Sequence, residues 1–134
     1  MVTVFIRSVV IGAFSLSLLF GGDFEEGMSA YNAGDYKKGQ ILLMEAAKQN
    51  NAGAQFTLGA IYGNDIGVTQ SNIFAYALFG LASKNGNQRG KEMQSRVVDW
   101  LTPNEIKMAQ SLVDNPAKLW LLIDKTLKIK ETKK

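Results

Sequence analysis

Residues 54–62 read AQFTLGAIY, and they are followed by GVTQ at residues 67–70 and by AY at residues 75–76. Small residues and single aromatic residues recur at helical spacing on both sides of a short segment that contains glycine. This arrangement is typical of a helical hairpin that stacks against neighbouring hairpins. Stacked hairpins present long exposed faces, so the pattern predicts a binding surface rather than a catalytic centre.

Capping signals divide the rest of the chain into seven predicted helices. Glycines at positions 34 and 86 are expected to end the first and the fourth. The segment TPNE at residues 102–105 combines an N-cap threonine, a proline in the first helical position and a glutamate that completes a capping box. The helices are predicted at Phe24–Ala33, after the cap Asp35, from Asn51 to about Tyr62, from Ser71 to Gly86, from Asn87 to about Leu101, from Thr102 to Asn115, and from Pro116 onward.

The chain also resembles itself when it is shifted. A shift of 36 places Leu42 on Leu78 and Asn51 on Asn87, whereas the preceding helices align at a shift of 31, with Tyr31 on Tyr62. The two shifts differ by five residues, and these five residues fall in the loop between the helices of the second hairpin. Internal similarity at such a period predicts a repeat protein.

The N-terminus has the composition of an export signal. Arg7 precedes an apolar and small-residue stretch at residues 8–22, and a charged cluster begins at Asp23. The stretch is shorter than the roughly 20 residues that span a bilayer as a helix, which favours a secretory signal peptide over a membrane span. Leu19 and Phe20 fit the small-residue cleavage pattern poorly, so an uncleaved membrane anchor stays open as an alternative.

Composition excludes several classes of site. The chain has no cysteine and no histidine, which rules out disulfides, Cys/His zinc sites and imidazole-dependent triads. Residues 23–115 hold eight basic and ten acidic side chains, whereas residues 116–134 hold six lysines and two acidic residues. The basic pI of 9.2 therefore results from the lysines of the C-terminal tail, and no nucleic-acid partner is predicted.

These motifs together resemble the Sel1-like repeat, a relative of the tetratricopeptide repeat with a longer inner loop. Matches to this repeat cover much of residues 24–114. They are Ala54-Gln55-x-x-Leu58-Gly59-x-x-Tyr62, Gly67-Val68-x-Gln70, Ala75 and Ala82-x-x-x-Gly86-Asn87. Ser71 stands where the family often has aspartate, and Gly39 where alanine is usual. The small and aromatic residues of the repeat are expected to be packing residues.

The resemblance implies an all-α fold, a short right-handed α-solenoid of antiparallel helical hairpins with a C-terminal capping helix. The expected organisation is a signal peptide or anchor at 1–22, the repeat domain at 23–115, and the capping helix with its basic tail at 116–134. It further implies a non-enzymatic adaptor for protein–protein contacts. A small exported bacterial protein of the periplasm is the expected setting.

The concave face of such a solenoid is lined by the first helix of each hairpin. In this register its residues mix polar groups, one aromatic ring and both charge signs, which suits a protein or peptide partner. No catalytic residue, metal ligand or cofactor is predicted. The candidate partner-binding residues are Glu25, Ser29, Asn32, Phe56, Ala60, Asn64, Arg89, Glu92, Arg96 and Asp99.

Two other functions stay open. One is an envelope enzyme that acts on cell-wall-related molecules, as proposed for some cysteine-rich Sel1-like proteins, although this chain lacks cysteine. The other is a membrane-surface protein that binds through the amphipathic helix carrying Leu119, Trp120, Ile123 and Leu127. The alternative for that helix is a cap over the last hairpin.

Overall fold

A computed structural model describes residues 22–64 and 71–133. In these residues the helices are joined by short turns, and there is no strand. The signal-like segment and the GVTQ part of the repeat motif lie outside these residues. The helices are α1 (residues 22–32), α2 (Tyr36–Lys48), α3 (Ala52–Asn64), α4 (Asn72–Lys84), α5 (Gln88–Val97), a 3-10 helix at Val98–Trp100, α6 (Pro103–Asp114) and α7 (Pro116–Thr132). In chain order, α1/α2, α3/α4 and α5/α6 are the three predicted hairpins; α3 packs against α4, and α5 and α6 both pack mainly against α4. The predicted all-α solenoid is confirmed.

Each predicted capping side chain accepts a hydrogen bond from a backbone N–H in the first turn of its helix. Asp35, Ser71 and Asn87 accept from Lys38, Phe74 and Gly90, at 3.2, 3.2 and 3.1 Å. The other two caps are Asn51, which accepts from the N–H of Ala54 at 2.9 Å, and Thr102, which forms the complete capping box with Glu105. Ser71 thus performs the capping that an aspartate at this position would also perform.

The turns after α2 and α4 have the same hydrogen bonds at the 36-residue shift. The N–H of Asn51 donates to Ala46 O at 3.1 Å, and the N–H of Asn87 donates to Ala82 O at 2.8 Å. The residue before each donor is left-handed, with φ of 65° at Asn50 and 100° at Gly86. Asparagine tolerates this conformation better than most other non-glycine residues. This role of Asn50 was not predicted from the sequence.

Helix α4 lies at the centre of the molecule, since it packs against α3, α5, α6 and α7. All of residues 75–82 are buried. The predicted packing residues Ala54, Leu58, Tyr62 and Ala75 are also buried. The core is therefore continuous across the second and third hairpins.

Helix α7 packs against α6 and α4. Its residues Leu119 and Ile123 are completely buried, and Lys48 Nζ of α2 lies 3.3 Å from Asp124 Oδ2. Trp120 and Leu127 are half-buried against the same core. The apolar side of α7 thus faces the protein, as a capping helix requires, and it lends no support to the membrane-surface hypothesis. Within the described residues, no helix combines the length and apolar composition needed to cross a membrane.

Candidate partner-binding groove

Helices α3 and α5 border an open pocket with a volume of about 300 Å³. We call it the α3–α5 pocket. Its lining residues are Ala60, Gly63, Asn64, Asn72, Phe79, Met93, Arg96, Val97 and Trp100. Three of the predicted partner-binding residues, at positions 60, 64 and 96, are among them.

The inner wall of the pocket is apolar. Phe79 of α4 and Val97 of α5 are buried there. Gly59 allows α3 to lie this close to the Phe79 ring, because a Cβ atom at position 59 would come within 2.8 Å of it. A small residue in the repeat motif therefore determines how closely the pocket-forming helices approach each other.

The rim of the pocket is polar and has internal partners. Asn64 Nδ2 donates to Ala60 O at 2.8 Å, and Arg96 Nη2 lies 2.8 Å from Glu92 Oε1. Among the described residues, Arg96 forms this ion pair with Glu92 and none with Asp99. The guanidinium of Arg96 is therefore already neutralised.

Trp100 is the most exposed large hydrophobic side chain in the described part of the chain, with 76% of its surface accessible. It belongs to the 3-10 helix that follows α5 and lies on the pocket. Exposed tryptophans that border apolar pockets are frequent energetic anchors of protein interfaces. Asp99 was the residue predicted at this point, although Trp100 is four residues after Arg96 and thus on the same helical face.

An aromatic row extends from the pocket toward the N-terminal end of α5. The rings of Phe79 and Phe56 are tilted, with centroids 5.4 Å apart. The Arg89 guanidinium carbon lies 5.1 Å from the centroid of the Phe56 ring, in a cation–π contact. Two predicted residues, Phe56 and Arg89, thus adjoin the pocket on one side.

The remaining predicted residues do not line the pocket. Glu25, Ser29 and Asn32 are exposed and share one side of α1, and Asp99 is exposed next to Trp100. Glu92 contributes through its ion pair with Arg96. The candidate site is therefore concentrated between the second and third hairpins.

No described group combines burial with an arrangement that suits acid–base chemistry. Burial raises the pKa of the Tyr62 phenol to about 12, but this oxygen accepts a hydrogen bond from Gln40 Nε2 at 3.1 Å within the core. Glu26 is exposed and paired with Lys38 at 2.9 Å, and this pairing raises the pKa of the lysine. The described residues contain no group of three His, Cys, Asp or Glu side chains that could hold a metal ion.

Comparisons with known proteins identify one informative relative. No family model matches the chain, and no curated protein matches it. Among solved structures, it is similar to the crystal structure of a protective antigen present in uropathogenic Escherichia coli strains, which displays an SLR (Sel1-like repeat) fold. The TM-score is 0.65 at 27% sequence identity, over 77% of this chain and 24% of that chain. This chain thus spans about a quarter of the length of that protein.

Proposed function

We propose that this chain, which shares the Sel1-like repeat fold, is an exported, non-enzymatic scaffold that binds a protein or peptide partner at the α3–α5 pocket. The observation that carries the proposal is the exposed Trp100 beside a partly apolar pocket of about 300 Å³. Residues of this type at interfaces contribute most of the binding energy when the partner excludes water from them.

The non-enzymatic part of the proposal rests on the side chains that are available. The sequence has neither cysteine nor histidine, and the exposed Glu92 and Glu26 are engaged with Arg96 and Lys38. An exposed carboxylate that is held in an ion pair and faces no pocket is poorly placed to transfer a proton to a substrate. A scaffold that only binds a partner requires no proton transfer by these side chains.

Export is proposed from residues 7–22 alone, whose order of charge, apolar stretch and small residues is that of a signal peptide. A periplasmic location follows for a bacterial host. Cell fractionation together with the intact mass of the mature protein tests this part. Recovery of the full-length mass in the cytoplasm would exclude export, whereas full-length mass in the membrane fraction would indicate an anchor.

Site-specific photo-cross-linking tests the binding surface. A photoreactive phenylalanine analogue is placed at position 100, and a matched chain carries it at Leu121, which is 54% exposed on α7. We expect a discrete cross-linked partner from position 100 alone, reduced by an excess of unlabelled protein. Equal cross-linking from both positions would contradict the proposed surface, although it would leave the fold unaffected.

A further inference from the structure

We propose that the bound partner segment is extended and carries a large apolar side chain for the α3–α5 pocket and an acidic side chain, three or four residues away, for Arg89. This inference rests on the proposed function, which it makes more specific. Two features at opposite ends of α5 support it. The pocket beside Trp100 lies at one end, and the Arg89 guanidinium lies over the Phe56 ring at the other.

The pocket is large enough to admit a large side chain. Ligand sites for drug-sized molecules begin at about 300 Å³, and the α3–α5 pocket is at that lower limit. Its wall combines Phe79, Met93 and Val97, and Trp100 provides an aromatic face at the edge. A single large apolar side chain can cover these surfaces, and a folded element cannot enter.

Arg89 supplies the charge complementarity. Of the two arginines on α5, Arg96 is paired with Glu92 at 2.8 Å. None of the carboxylates whose side chains the structure describes lies within 4 Å of the Arg89 guanidinium. The cation–π contact with Phe56 restrains the guanidinium, and a guanidinium can bind a carboxylate through two N–H groups.

The spacing follows from helix geometry. Arg89 precedes Arg96 and Val97 by seven and eight positions, which is about 11–12 Å along α5 at 1.5 Å per residue. An extended segment advances about 3.3 Å per residue and covers that distance in three or four residues. The Phe56–Phe79 contact provides a continuous aromatic surface between the two ends. A helical partner would need a spacing of about seven residues instead.

Synthetic peptides test the inference directly. Fluorescein-labelled Gly/Ser peptides carry one leucine or phenylalanine anchor and one glutamate at separations of one to seven residues on either side. Fluorescence anisotropy with the full chain measures their affinities. We expect the tightest binding at a separation of three or four on one side of the anchor, and a loss of up to about fivefold when glutamine replaces that glutamate, since an exposed ion pair contributes up to about 1 kcal/mol.

Variants of α5 identify the residue that binds the glutamate of the peptide. Arg89→Gln should remove the preference for glutamate but retain the requirement for the anchor, and Arg89→Glu should transfer the preference to lysine peptides. Lys91→Gln, which changes an exposed cation of the same helix, should have no effect. Equal effects at positions 89 and 91, or a best separation of seven, would overturn the inference.

Different results would overturn this inference and the proposed function. Peptides that bind through their anchor in a Trp100-dependent manner, but with no dependence on glutamate, overturn this inference and leave the proposed function in place. An absence of peptide binding at every separation also overturns it. In that case the cross-linking result at position 100 decides independently whether the pocket binds a partner.

Discussion

The side-chain amide of Asn85 donates a hydrogen bond to Gln55 Oε1 over 2.9 Å. The amide of Gln55 in turn donates to Ala47 O over 3.0 Å. Gln55 is completely buried in α3, so one polar side chain connects the end of α2 with the residue that follows α4. The glutamine of the repeat motif therefore joins two successive hairpins through the core.

Replacing Gln55 with leucine should lower the free energy of unfolding by about 1–3 kcal/mol, because two buried hydrogen bonds are lost. Asn85→Ala should cost less, since only one of the two hydrogen bonds is lost and Asn85 itself is exposed. Urea unfolding measures both. Gln49→Leu changes an exposed glutamine nearby and should stay within about 0.5 kcal/mol of the parent protein. A Gln55→Leu protein as stable as this control would show that the connection contributes nothing.

Gly90→Ala should destabilise the fold by about 1–3 kcal/mol or more, the cost of overpacking a rigid contact. A Cβ atom there would meet Phe79 O at 2.6 Å and Ser83 N at 2.8 Å, both backbone atoms of α4. Gly63→Ala is the matched control, because its Cβ atom would make an ordinary 3.6 Å contact with Ala75. Alanine at position 63 should be neutral or stabilising, since it favours helix. Equal melting temperatures for the two variants would contradict the close approach of α4 and α5.

Ile123→Ala should cost about 2–5 kcal/mol, as expected for truncation of a completely buried aliphatic side chain. Leu121→Ala changes the same helix two residues away but removes a half-exposed side chain, so its cost should be under about 1 kcal/mol. Thermal unfolding followed by circular dichroism compares them. If both variants unfold at the temperature of the parent protein, α7 does not cap the solenoid.

The free energy of unfolding should fall as the pH rises from about 10 to 12. Burial raises the pKa of Tyr62 from its ordinary 10.0 to about 12, against the opposing effect of the hydrogen bond from Gln40. The folded state therefore keeps a proton that the unfolded chain releases above pH 10, and stability decreases by up to about 1.4 kcal/mol for each unit of pKa difference.

Urea unfolding at pH 8, 10, 11 and 12 measures this dependence. Tyr62→Phe removes the ionisable group and should flatten the alkaline decline, even if its stability at pH 8 is lower through loss of the Gln40 hydrogen bond. Tyr36→Phe, which changes an exposed tyrosine on α2, controls for the removal of a phenol. Parallel declines in the parent and Tyr62→Phe proteins would assign the alkaline effect to other groups.

Helix boundaries were predictable where local chemistry determines them. Asp35, Ser71, Asn87 and Thr102 satisfy orphan N–H groups of their own helices, and such short-range interactions are evident in sequence. The substitution of Gly39 for the usual alanine has a tertiary cause instead. A Cβ atom at this position would come within 2.9 Å of Tyr31 N on α1, a distance that only the packed hairpin reveals.

The groove was predictable in part. The register of the repeat placed Ala60, Asn64 and Arg96 on one face, and these residues share the α3–α5 pocket. Trp100 was missed although the predicted helix ran to about Leu101, because Asp99 was chosen in the segment that forms the 3-10 helix and a large aromatic residue is ordinarily expected to be mostly buried. The pairing of Arg96 with Glu92 rather than Asp99 depends on side-chain direction, which spacing alone does not determine.

Helix α4 has no side that faces solvent between residues 75 and 82. Every substitution in those two turns has to satisfy several neighbouring helices at once, whereas α3 has partly exposed positions and α5 has several exposed ones. During divergence, the inner helix should therefore change slowly while the outer helices acquire new surface chemistry. Relatives of this protein that bind different partners should be recognisable by the segment AYALFGLA rather than by their grooves.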